Sequence, residues 1–382
     1  MIRSISLYIH LPFCVSRCRY CDFYSETGAD SALMAKVLER LLLDTRRELA
    51  ALQAAGIATV YIGGGTPSLI PPAQLAPFLA ALSHEIGGTE EFSMEINPES
   101  LSEELLDALS PLSRLSMGAQ SYDERLLRWL GRPAGRRKLL AADELLRKNW
   151  HGRLSHDLLA ALPRRPNALT GEIEQALKYG AGHLSLYDLT VGPGTPLAGD
   201  VRRLEELPGE EEKQAEWAAA LEYLKRRGFH RYEVSNFARR GEECLHNVRY
   251  WRMEPYLGIG PGAASTLPGD GGAVRRQEPP DTALWLRSPG AGREQEQLCP
   301  RDFAFEHYMM ALRTAEGLSR SRFAAVFGLD PVDIIPETAR HGGLEADADA
   351  LRLRDMDLTD AVLRDVLEDL EKVHFPGSYD WP

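Results

Sequence analysis

The chain has 382 residues, 44% of them hydrophobic, and a formal net charge of −12. This length allows two or three domains or one large α/β barrel, and the acidic balance, without Lys and Arg runs among aromatic residues, argues against a nucleic-acid partner. No stretch approaches about eighteen apolar residues and the N-terminus lacks a signal-peptide pattern, so we expect a cytoplasmic protein, with peripheral membrane contact left open.

Short apolar runs alternate with amphipathic segments from Leu7 to about Asn236, which predicts βα units and a parallel sheet. A first helix is predicted by apolar residues at i, i+3, i+4 and i+7, namely Met34, Val37, Leu38 and Leu41. Further strands are predicted over 59–62, 92–96, 114–117, 153–158, 183–187 and 231–234. Because no dinucleotide fingerprint occurs among these units, they favour a partial or full barrel with its chemistry at the C-terminal mouth. Ser100 followed by Glu103 predicts a capping box for one helix.

The composition shifts to Gly, Pro, Arg and Glu over 268–300, which predicts a surface loop or linker. Two helical stripes follow, formed by Phe305, Tyr308, Met309 and Leu312 and by Leu363, Val366, Leu367 and Leu370. We therefore predict a barrel unit over 1–267, a loop or linker over 268–300 and a small, mostly helical domain over 301–382.

Three cysteines, Cys14, Cys18 and Cys21, form a C-x3-C-x2-C array directly after the first predicted strand. Three thiolates at this spacing can each hold one iron of a [4Fe-4S] cluster and leave the fourth iron open to a small molecule. A zinc site would want a fourth Cys or His nearby, whereas Cys244 and Cys299 are distant in sequence. A zinc loop or a chance group of buried thiols is the alternative. The odd number of cysteines fits a reducing compartment.

Polar and flexible residues follow several predicted strands. The glycine-rich turn at 63–67 would let backbone groups approach a ligand, although it lacks the spacing of a Rossmann or Walker loop and a plain tight turn is the alternative. Glu95 and Gln120 end strands and Asp157 lies near the end of another, which places these side chains at the barrel mouth. Satisfied structural side chains are the alternative for each.

The cysteine array, with Tyr20 before its third cysteine, resembles the radical S-adenosylmethionine (SAM) superfamily. Longer phrases narrow the resemblance: YIHLPFC at 8–14, IGGGTPSL at 62–69, EINP at 95–98, GAQS at 118–121 and HNVRYW at 246–251. Together they resemble the group containing oxygen-independent coproporphyrinogen III oxidase and HemW-like heme chaperones, over nearly the whole chain. The resemblance implies an α/β fold with a partial (β/α)6 TIM-like barrel.

The resemblance also implies a set of site residues. Cys14, Cys18 and Cys21 would hold the cluster, whose open iron binds the amino and carboxylate groups of SAM. The glycine turn would receive the SAM amino group, Glu95, Gln120 and Asp157 would contact its ribose and methionyl parts, and Arg132 would lie near its carboxylate. The full set of implied SAM-binding residues is Tyr8, Tyr20, Gly64, Gly65, Thr66, Glu95, Gln120, Arg132, Asp157 and Thr190.

In this family a reduced cluster gives one electron to SAM, which breaks to methionine and a 5′-deoxyadenosyl radical, so an electron-donor protein is an expected partner. The sequence identifies no catalytic residue. The oxidase typically has a fourth cysteine, as C-x3-C-x2-C-x-C, and an N-terminal extension, whereas Phe23 stands at that position here and the motif begins almost at the N-terminus. This favours a chaperone that binds heme and delivers it to acceptor proteins. The alternative is oxidative decarboxylation of coproporphyrinogen III to protoporphyrinogen IX.

The HNVRYW phrase matches one associated with heme handling in HemW-like proteins. His246 is the candidate axial ligand, and Tyr250 and Trp251 offer flat apolar surface to a porphyrin. A hydrogen-bonded structural histidine is the alternative. Ala264 stands where the family phrase around 256–265 often has His, which weakens the transfer of ligands from that region.

Overall fold

The computed structural model describes residues 4–163, 168–340 and 343–381. The strands are β1 Ile5–Leu11, β2 Phe13–Cys14, β3 Glu26–Thr27, β4 Ile57–Gly64, β5 Glu91–Ile96, β6 Arg114–Gln120, β7 Arg153–Ala160, β8 His183–Asp188, β9 His230–Arg231, β10 Asn236–Ala238, β11 Tyr256–Ile259, β12 Ala264–Gly269, β13 Gly272–Gln277, β14 Glu294–Gln297, β15 Leu318–Ser319, β16 Leu344–Ala346 and β17 Ala350–Leu353.

The helices are α1 Ser31–Leu52, α2 Pro72–Ile86, α3 Glu103–Ala108, α4 Glu124–Leu130, α5 Arg136–Asn149, α6 Ala168–Lys178, α7 Val201–Glu205, α8 Glu210–Arg226, α9 Leu245–Trp251, α10 Thr282–Arg287, α11 Pro300–Ala311, α12 Arg320–Phe327, α13 Pro336–Arg340 and α14 Thr359–Leu370. Short 3-10 turns lie at Pro67–Leu69 and Met356–Leu358. Within the described ranges, no helix is long and apolar enough to cross a membrane.

Six parallel strands form the centre of the molecule. They stand in the order β1-β4-β5-β6-β7-β8, each pairing in parallel with the next. Helices run between successive strands, as right-handed βα units require. This arrangement confirms the predicted α/β fold with a partial (β/α)6 barrel.

The barrel strands separate apolar from polar side chains by their alternation. Leu7 and Ile9 of β1 and Val60 and Ile62 of β4 are fully buried among the helices that cover the sheet. Polar residues on the opposite face of the strands line a cavity inside the barrel, namely Glu95, Arg114, Ser116, Ser155, Asp157, His183 and Ser185. The barrel interior is therefore a polar chamber surrounded by an apolar layer.

Helix α1 follows the predicted pattern. Its buried face includes all four apolar residues on which the prediction was based, and the Asp30 side chain caps it by accepting a hydrogen bond from Leu33 N at 2.8 Å. The capping box at Ser100 is wrong, because Ser102 is the N-cap of α3 and accepts from Leu105 N at 3.1 Å. The two serines are equally good caps in isolation, so only the structure distinguishes them.

The predicted seventh strand over 231–234 is wrong. Only Arg231 of that range belongs to a strand, β9, which pairs antiparallel with β10, and β10 pairs antiparallel with β8. Glu233, between the two short strands, pairs with Thr314 through an isolated bridge. In the described part of the sheet, β1 continues to β11 and β8 to β10, so the barrel does not close on itself.

The prediction of a loop or linker over 268–300 also needs correction. β12 and β13 form a hairpin, β14 pairs with β13, and α10 lies between β13 and β14. The stretch looked irregular because its exposed edge is polar: all four residues of β14 are exposed, while Ala273 and Val274 of β13 are buried. Domain boundaries at 268 and 300 stay a prediction.

The C-terminal region is mostly helical, as predicted, and has its own aromatic core around Phe303, Tyr308, Phe323 and Phe327. It also contains a three-stranded antiparallel sheet in the order β15-β17-β16, which the sequence did not predict. These strands have only two to four residues each, too few for alternation to be recognised.

Candidate functional site

A cavity of about 430 Å³ lies inside the barrel, at the C-terminal ends of its strands. The cluster loop covers one side and the ends of β4 to β8 form the other. Twelve of the residues that the sequence nominated line this cavity: Cys14, Cys18, Tyr20, Cys21, Gly64, Gly65, Thr66, Glu95, Gln120, Arg132, Asp157 and Thr190. We call it the first cavity.

The three loop cysteines lie together as free thiols at the edge of the first cavity. Cys18 is buried, Cys21 N donates to Cys18 O at 3.3 Å, and the Cys14 Sγ lies 3.6 Å from Thr66 Oγ1. Burial raises the pKa of the Cys14 and Cys21 thiols, and their neighbouring cysteines raise it further. Thiols in this setting become thiolates most readily when a metal compensates their charge.

Three free thiols in one loop match the thiolate donors of a [4Fe-4S] cluster. No group of three or more His, Cys, Asp or Glu side chains in the described residues converges on a position for a single ion. Zinc needs four ligands around one centre, whereas a [4Fe-4S] cluster takes each thiolate on a separate iron. Cys14, Cys18 and Cys21 would therefore hold the three ligated irons.

The glycine turn connects the end of β4 to the chain entering the cluster loop. Gly65 N donates to Leu11 O at 2.8 Å and Thr66 N donates to Phe13 O at 2.7 Å. A Cβ on Gly65 would lie 2.6 Å from the Phe13 carbonyl oxygen, and Gly64 has a φ of +115°, which favours glycine. The glycines are thus required by close backbone packing beside Cys14.

Glu95 is half-buried between the turn and the barrel interior. Its Oε1 accepts from Tyr61 OH at 3.1 Å and its Oε2 accepts from Gly64 N at 3.2 Å. Burial and the nearby charge of Asp157 raise the pKa of Glu95 to about 8, so this carboxyl is largely protonated at neutral pH.

Asp157 and Gln120 lie across the cavity from the cluster loop. Both carboxyl oxygens of Asp157 accept from Ser116 Oγ at 3.1 Å, and burial raises the pKa of this acid. Gln120 ends β6 with a φ of +64°, an uncommon conformation for a residue with a side chain. Such a strained position costs about 1–3 kcal/mol and is frequent at ligand-binding sites.

Arg132 connects the cluster loop to the ends of β5 and β6. Its Nη1 donates to Cys18 Sγ at 3.6 Å, and its Nη2 donates to Asn97 Oδ1 and Gly118 O, both at 2.8 Å. This half-buried cation lies beside the Cys18 thiol, where it would stabilise negative charge. Its predicted contact with the SAM carboxylate stays a prediction.

Two nominated residues lie away from the centre of the first cavity, one at its rim and one outside it. Thr190 is exposed at the rim, with its Oγ1 3.5 Å from Asp188 O. Tyr8 belongs to β1, not to the cluster loop, and lines a second cavity. Its hydroxyl lies 3.0 Å from His10 Nδ1 and its ring stacks on Tyr61 at a centroid distance of 6.4 Å.

The second cavity has a volume of about 390 Å³ and lies where the open side of the barrel meets α9 and the C-terminal region. His246, Tyr250 and Trp251 of α9 line it together with Arg313. The two cavities share a wall made of Tyr61, Glu95, Tyr187 and Asn247. We call these four residues the shared wall.

His246 is buried in the second cavity. Its Nδ1 lies 2.9 Å from Thr59 Oγ1, and its ring packs against Tyr61 and Tyr250 at centroid distances of 5.3 and 5.2 Å. Burial lowers the pKa of His246 to about 3, so the imidazole is neutral. Its Nε2 is buried without a hydrogen-bond partner in the described structure.

The neighbours of His246 determine its tautomer. Thr59 Oγ1 donates its single hydrogen to Ser6 Oγ at 3.0 Å, so it can only accept from His246. The imidazole therefore carries its hydrogen on Nδ1 and a lone pair on Nε2. That unpartnered lone pair is the group through which a neutral histidine binds a metal ion.

Glu91 fixes the start of α9 inside the barrel. Its Oε1 accepts from His246 N at 3.2 Å and from Cys244 Sγ at 3.4 Å, while its Oε2 accepts from Arg114 Nε at 2.8 Å. Although burial opposes it, the Arg114 guanidinium holds the pKa of Glu91 below its usual range. An ionised, fully buried carboxylate thus anchors the helix that carries His246.

Comparison with known proteins agrees with this geometry. Residues 8–168 match the family model described as the Radical SAM superfamily. A protein from Danio rerio, "Radical S-adenosyl methionine domain-containing protein 1, mitochondrial", is 34% identical and the match covers 83% of this chain and 74% of that protein. The chain belongs to the radical SAM superfamily.

Relatives of this radical SAM protein also include heme chaperones HemW. The HemW of Synechocystis sp. is 32% identical, with 88% of this chain and 84% of that protein covered, and the HemW of Escherichia coli is 31% identical, with 85% and 86% covered. The solved structure of coproporphyrinogen III oxidase (HemN) from Escherichia coli has the same fold, with a TM-score of 0.78, 20% identity and coverage of 97% of this chain and 90% of that one.

Sequence reasoning missed several residues of this radical SAM protein that line the second cavity. Tyr61 directly precedes the glycine phrase, Tyr187 lies at the end of a predicted strand, and Asn247 lies within HNVRYW, so each was beside a recognised pattern. Arg313 had no such signal, because it follows α11 far along the chain. Only the fold brings it to the barrel.

Proposed function

We propose that this radical SAM protein is a HemW-type heme chaperone, which binds heme in the second cavity and delivers it to acceptor proteins. The observation that carries the proposal is the buried lone pair of His246 Nε2, which has no hydrogen-bond partner in the described structure. The identity with HemW proteins over most of the chain supports the same conclusion.

His246 has the properties of an axial heme ligand. It is neutral, its Nδ1–H is held by Thr59, and its ring lines the second cavity, with a buried Nε2 that has no hydrogen-bond partner in the described structure. A hydrogen bond from the second ring nitrogen orients a metal-binding histidine and fixes its tautomer. Most buried polar side-chain atoms have a hydrogen-bond partner, so the unpartnered Nε2 is an uncommon feature, which a bound metal would explain.

Aromatic side chains surround this lone pair. Tyr61 and Tyr250 pack against the imidazole, and Trp251 lines the same cavity. Flat rings of this kind present apolar surface to a porphyrin plane. The cavity volume of about 390 Å³ lies in the range of roughly 300–1,000 Å³ that small-molecule sites occupy.

In the proposal, the first cavity holds SAM and the cluster that Cys14, Cys18 and Cys21 ligate. When bound, the cluster supplies one-electron reduction of SAM. Glu95 and Asp157 would accept hydrogen bonds from the ribose and methionyl parts of SAM, and the turn beside Cys14 would hold its amino group. An electron donor and a heme acceptor are the protein partners that this function requires.

The five cysteines are all free in the structure, which is compatible with a reducing, cytoplasmic compartment.

Oxidation of coproporphyrinogen III is the second candidate, because the fold of that oxidase covers nearly the whole chain. Phe23, 67% exposed at the cluster loop, occupies the position of the fourth cysteine of the oxidase pattern. Phenylalanine cannot replace the thiol in any role.

The test is an anaerobic titration of the cluster-reconstituted protein with heme, read by its Soret band, beside an assay with coproporphyrinogen III, SAM and a reductant. We expect tight heme binding and unchanged porphyrinogen. His246→Gly should weaken binding and alter the Soret band, and free imidazole should restore the band by occupying the vacated position. His230→Gly is the matched control, because His230 is a half-exposed histidine that pairs with Glu243. This variant should bind heme as the wild type does.

Formation of protoporphyrinogen with methionine and 5′-deoxyadenosine would replace the chaperone proposal with the oxidase. An unchanged spectrum and affinity in His246→Gly would reject His246 as the ligand.

A further inference from the structure

The second cavity contains one cation among the described residues that line it, Arg313, which follows α11 in the C-terminal region. The other groups around it are neutral aromatic or amide side chains and two acids, Glu95 and Glu233. Since Glu95 is largely protonated at neutral pH, Arg313 and Glu233 are the two charged groups of this lining.

Arg313 is positioned by its backbone and by Trp251. Its carbonyl oxygen accepts from Val234 N at 3.0 Å, and its guanidinium carbon lies 5.5 Å from the centroid of the Trp251 ring. These contacts fix the side chain at the cavity, because the backbone is hydrogen-bonded and the guanidinium lies over an aromatic face.

The guanidinium is only weakly paired. Its Nε lies 3.5 Å from Glu233 Oε1, longer than a normal N–H···O bond of about 2.7–3.2 Å. No other hydrogen bond of the Arg313 side chain occurs in the described residues, so both Nη groups are available. Glu233 does not depend on Arg313, because its Oε2 accepts from Ser235 N at 2.9 Å and from Asn236 Nδ2 at 2.7 Å.

We propose that Arg313 is a specificity-determining residue of the second cavity, where its two free Nη groups bind a carboxylate of the cargo. A guanidinium binds a carboxylate through two parallel N–H···O bonds, and the pairing selects carboxylate-bearing ligands over neutral ones. For heme, which carries two propionates, His246 would bind the iron and Arg313 a propionate.

This inference rests on the proposed function, since it names the group that recognises the periphery of the same cargo. It also assigns a role to the C-terminal region. His246 belongs to a helix inserted in the barrel, whereas Arg313 follows the helix that begins the C-terminal aromatic core. The cargo is thereby held from both sides of the cavity.

The experiment compares iron protoporphyrin IX with its dimethyl ester, in the same detergent, on the cluster-reconstituted full chain. We expect the wild type to bind the dicarboxylate more tightly than the diester. Arg313→Gln should bind heme about ten- to a hundredfold more weakly than the wild type, which is the size of a lost charge-assisted hydrogen bond. Its affinity for the diester should stay close to that of the wild type. Arg313→Lys should be intermediate, because it keeps the charge but not the fork.

Two further variants separate the role of Arg313 from damage to the fold. Arg322→Gln removes another C-terminal arginine that pairs with Glu316, outside the second cavity, and should bind both ligands as the wild type does. Glu233→Gln removes the one acid paired with Arg313 and should bind heme as tightly as the wild type or more tightly.

Equal affinity of Arg313→Gln and wild type for heme would overturn the inference and leave the chaperone proposal intact. Equal affinity of the wild type for heme and its diester would also overturn the inference about Arg313 and leave the chaperone proposal intact. Failure of the wild type to bind heme at all would overturn both.

Discussion

The protonation of Glu95 is set by its surroundings in the first cavity. Burial and Asp157 raise its pKa to about 8, and its two oxygens are held by Tyr61 and Gly64. An ionised carboxylate accepts the O–H bonds of a ribose better than a carboxylic acid, so the ionised form is the one that would bind SAM in the proposed function. With a pKa of about 8, roughly a tenth of the molecules would have this form at pH 7, and the apparent affinity for SAM would be about tenfold weaker.

We therefore expect the affinity for S-adenosylhomocysteine, a redox-inert analogue, to rise from pH 6.5 to pH 8.5 and then to level off. Isothermal titration calorimetry on the cluster-reconstituted protein measures this profile. Glu95→Gln should bind more weakly with a flat profile, and Asp157→Asn should move the rise to lower pH, because it removes the charge that raises the pKa of Glu95. A steep profile that persists in Glu95→Gln would contradict the assignment.

At this scale the sequence predicted which side chains lie together, since twelve nominated residues line the first cavity, and their contacts with a cluster and SAM stay predictions. The cysteines, the glycine turn and the polar strand ends were all recognisable, because each follows a predicted strand and carries a group suited to its ligand. Tyr8 lies on β1, stacks on Tyr61 and lines the second cavity, and its predicted contact with SAM stays a prediction. The tautomer of His246 was beyond the sequence, because it depends on Thr59 and Ser6 from two different strands.

Among the elements, the contact between the glycine turn and the chain leading into the cluster loop has a clear mutational test. A methyl group on Gly65 would come within 2.6 Å of the Phe13 carbonyl oxygen, a rigid backbone atom next to Cys14. We expect Gly65→Ala to displace the cluster loop and to lose most of the iron and sulfide after anaerobic reconstitution. Iron and sulfide analysis with the absorbance near 400 nm measures the loss.

Gly88→Ala is the matched control, since its added Cβ would meet nothing within 4 Å, and it should reconstitute fully. Normal cluster content in Gly65→Ala would mean that the loop adapts and that the close packing is not required.

The elements themselves were predictable where hydrophobic alternation was long. The six parallel strands and α1 bury regular patterns of apolar residues, and such patterns persist in any context. The β12–β13 hairpin and β14 were missed because the exposed edge of this sheet is polar and no single sequence motif contains all the strands that pair. The predicted strand over 231–234 failed because Glu233 interrupts it to bridge to the C-terminal region.

In the whole molecule, the shared wall connects the first and second cavities through Tyr61. Tyr61 donates to Glu95 on one side and packs against the His246 ring on the other. Ionisation of Glu95 on binding of the nucleoside would strengthen the bond from Tyr61, because hydrogen bonds to charged acceptors are stronger. Tyr61 would then hold His246 more firmly in its heme-binding orientation.

We expect S-adenosylhomocysteine to tighten heme binding several-fold, within the usual range of about 5–150-fold for coupled sites. Tyr61→Phe keeps the ring but loses the hydroxyl, so it should still bind each ligand. The ratio of its heme affinities with and without S-adenosylhomocysteine should be near one. Heme titrations with and without the analogue measure this ratio. Tyr8→Phe is the control: the hydroxyl that it removes contacts His10 instead of Glu95, so this variant should keep the wild-type ratio. A ratio unchanged by Tyr61→Phe would exclude this route of coupling.

The shared wall also constrains the order of events in a delivery cycle. The two binding equilibria form a closed free-energy cycle. If the nucleoside raises the affinity for heme by some factor, heme must therefore raise the affinity for the nucleoside by the same factor. A molecule that has loaded its cargo would therefore retain its nucleoside longer, and one that has handed its cargo over would release it more readily. Nucleoside exchange would then report whether the carrier is full.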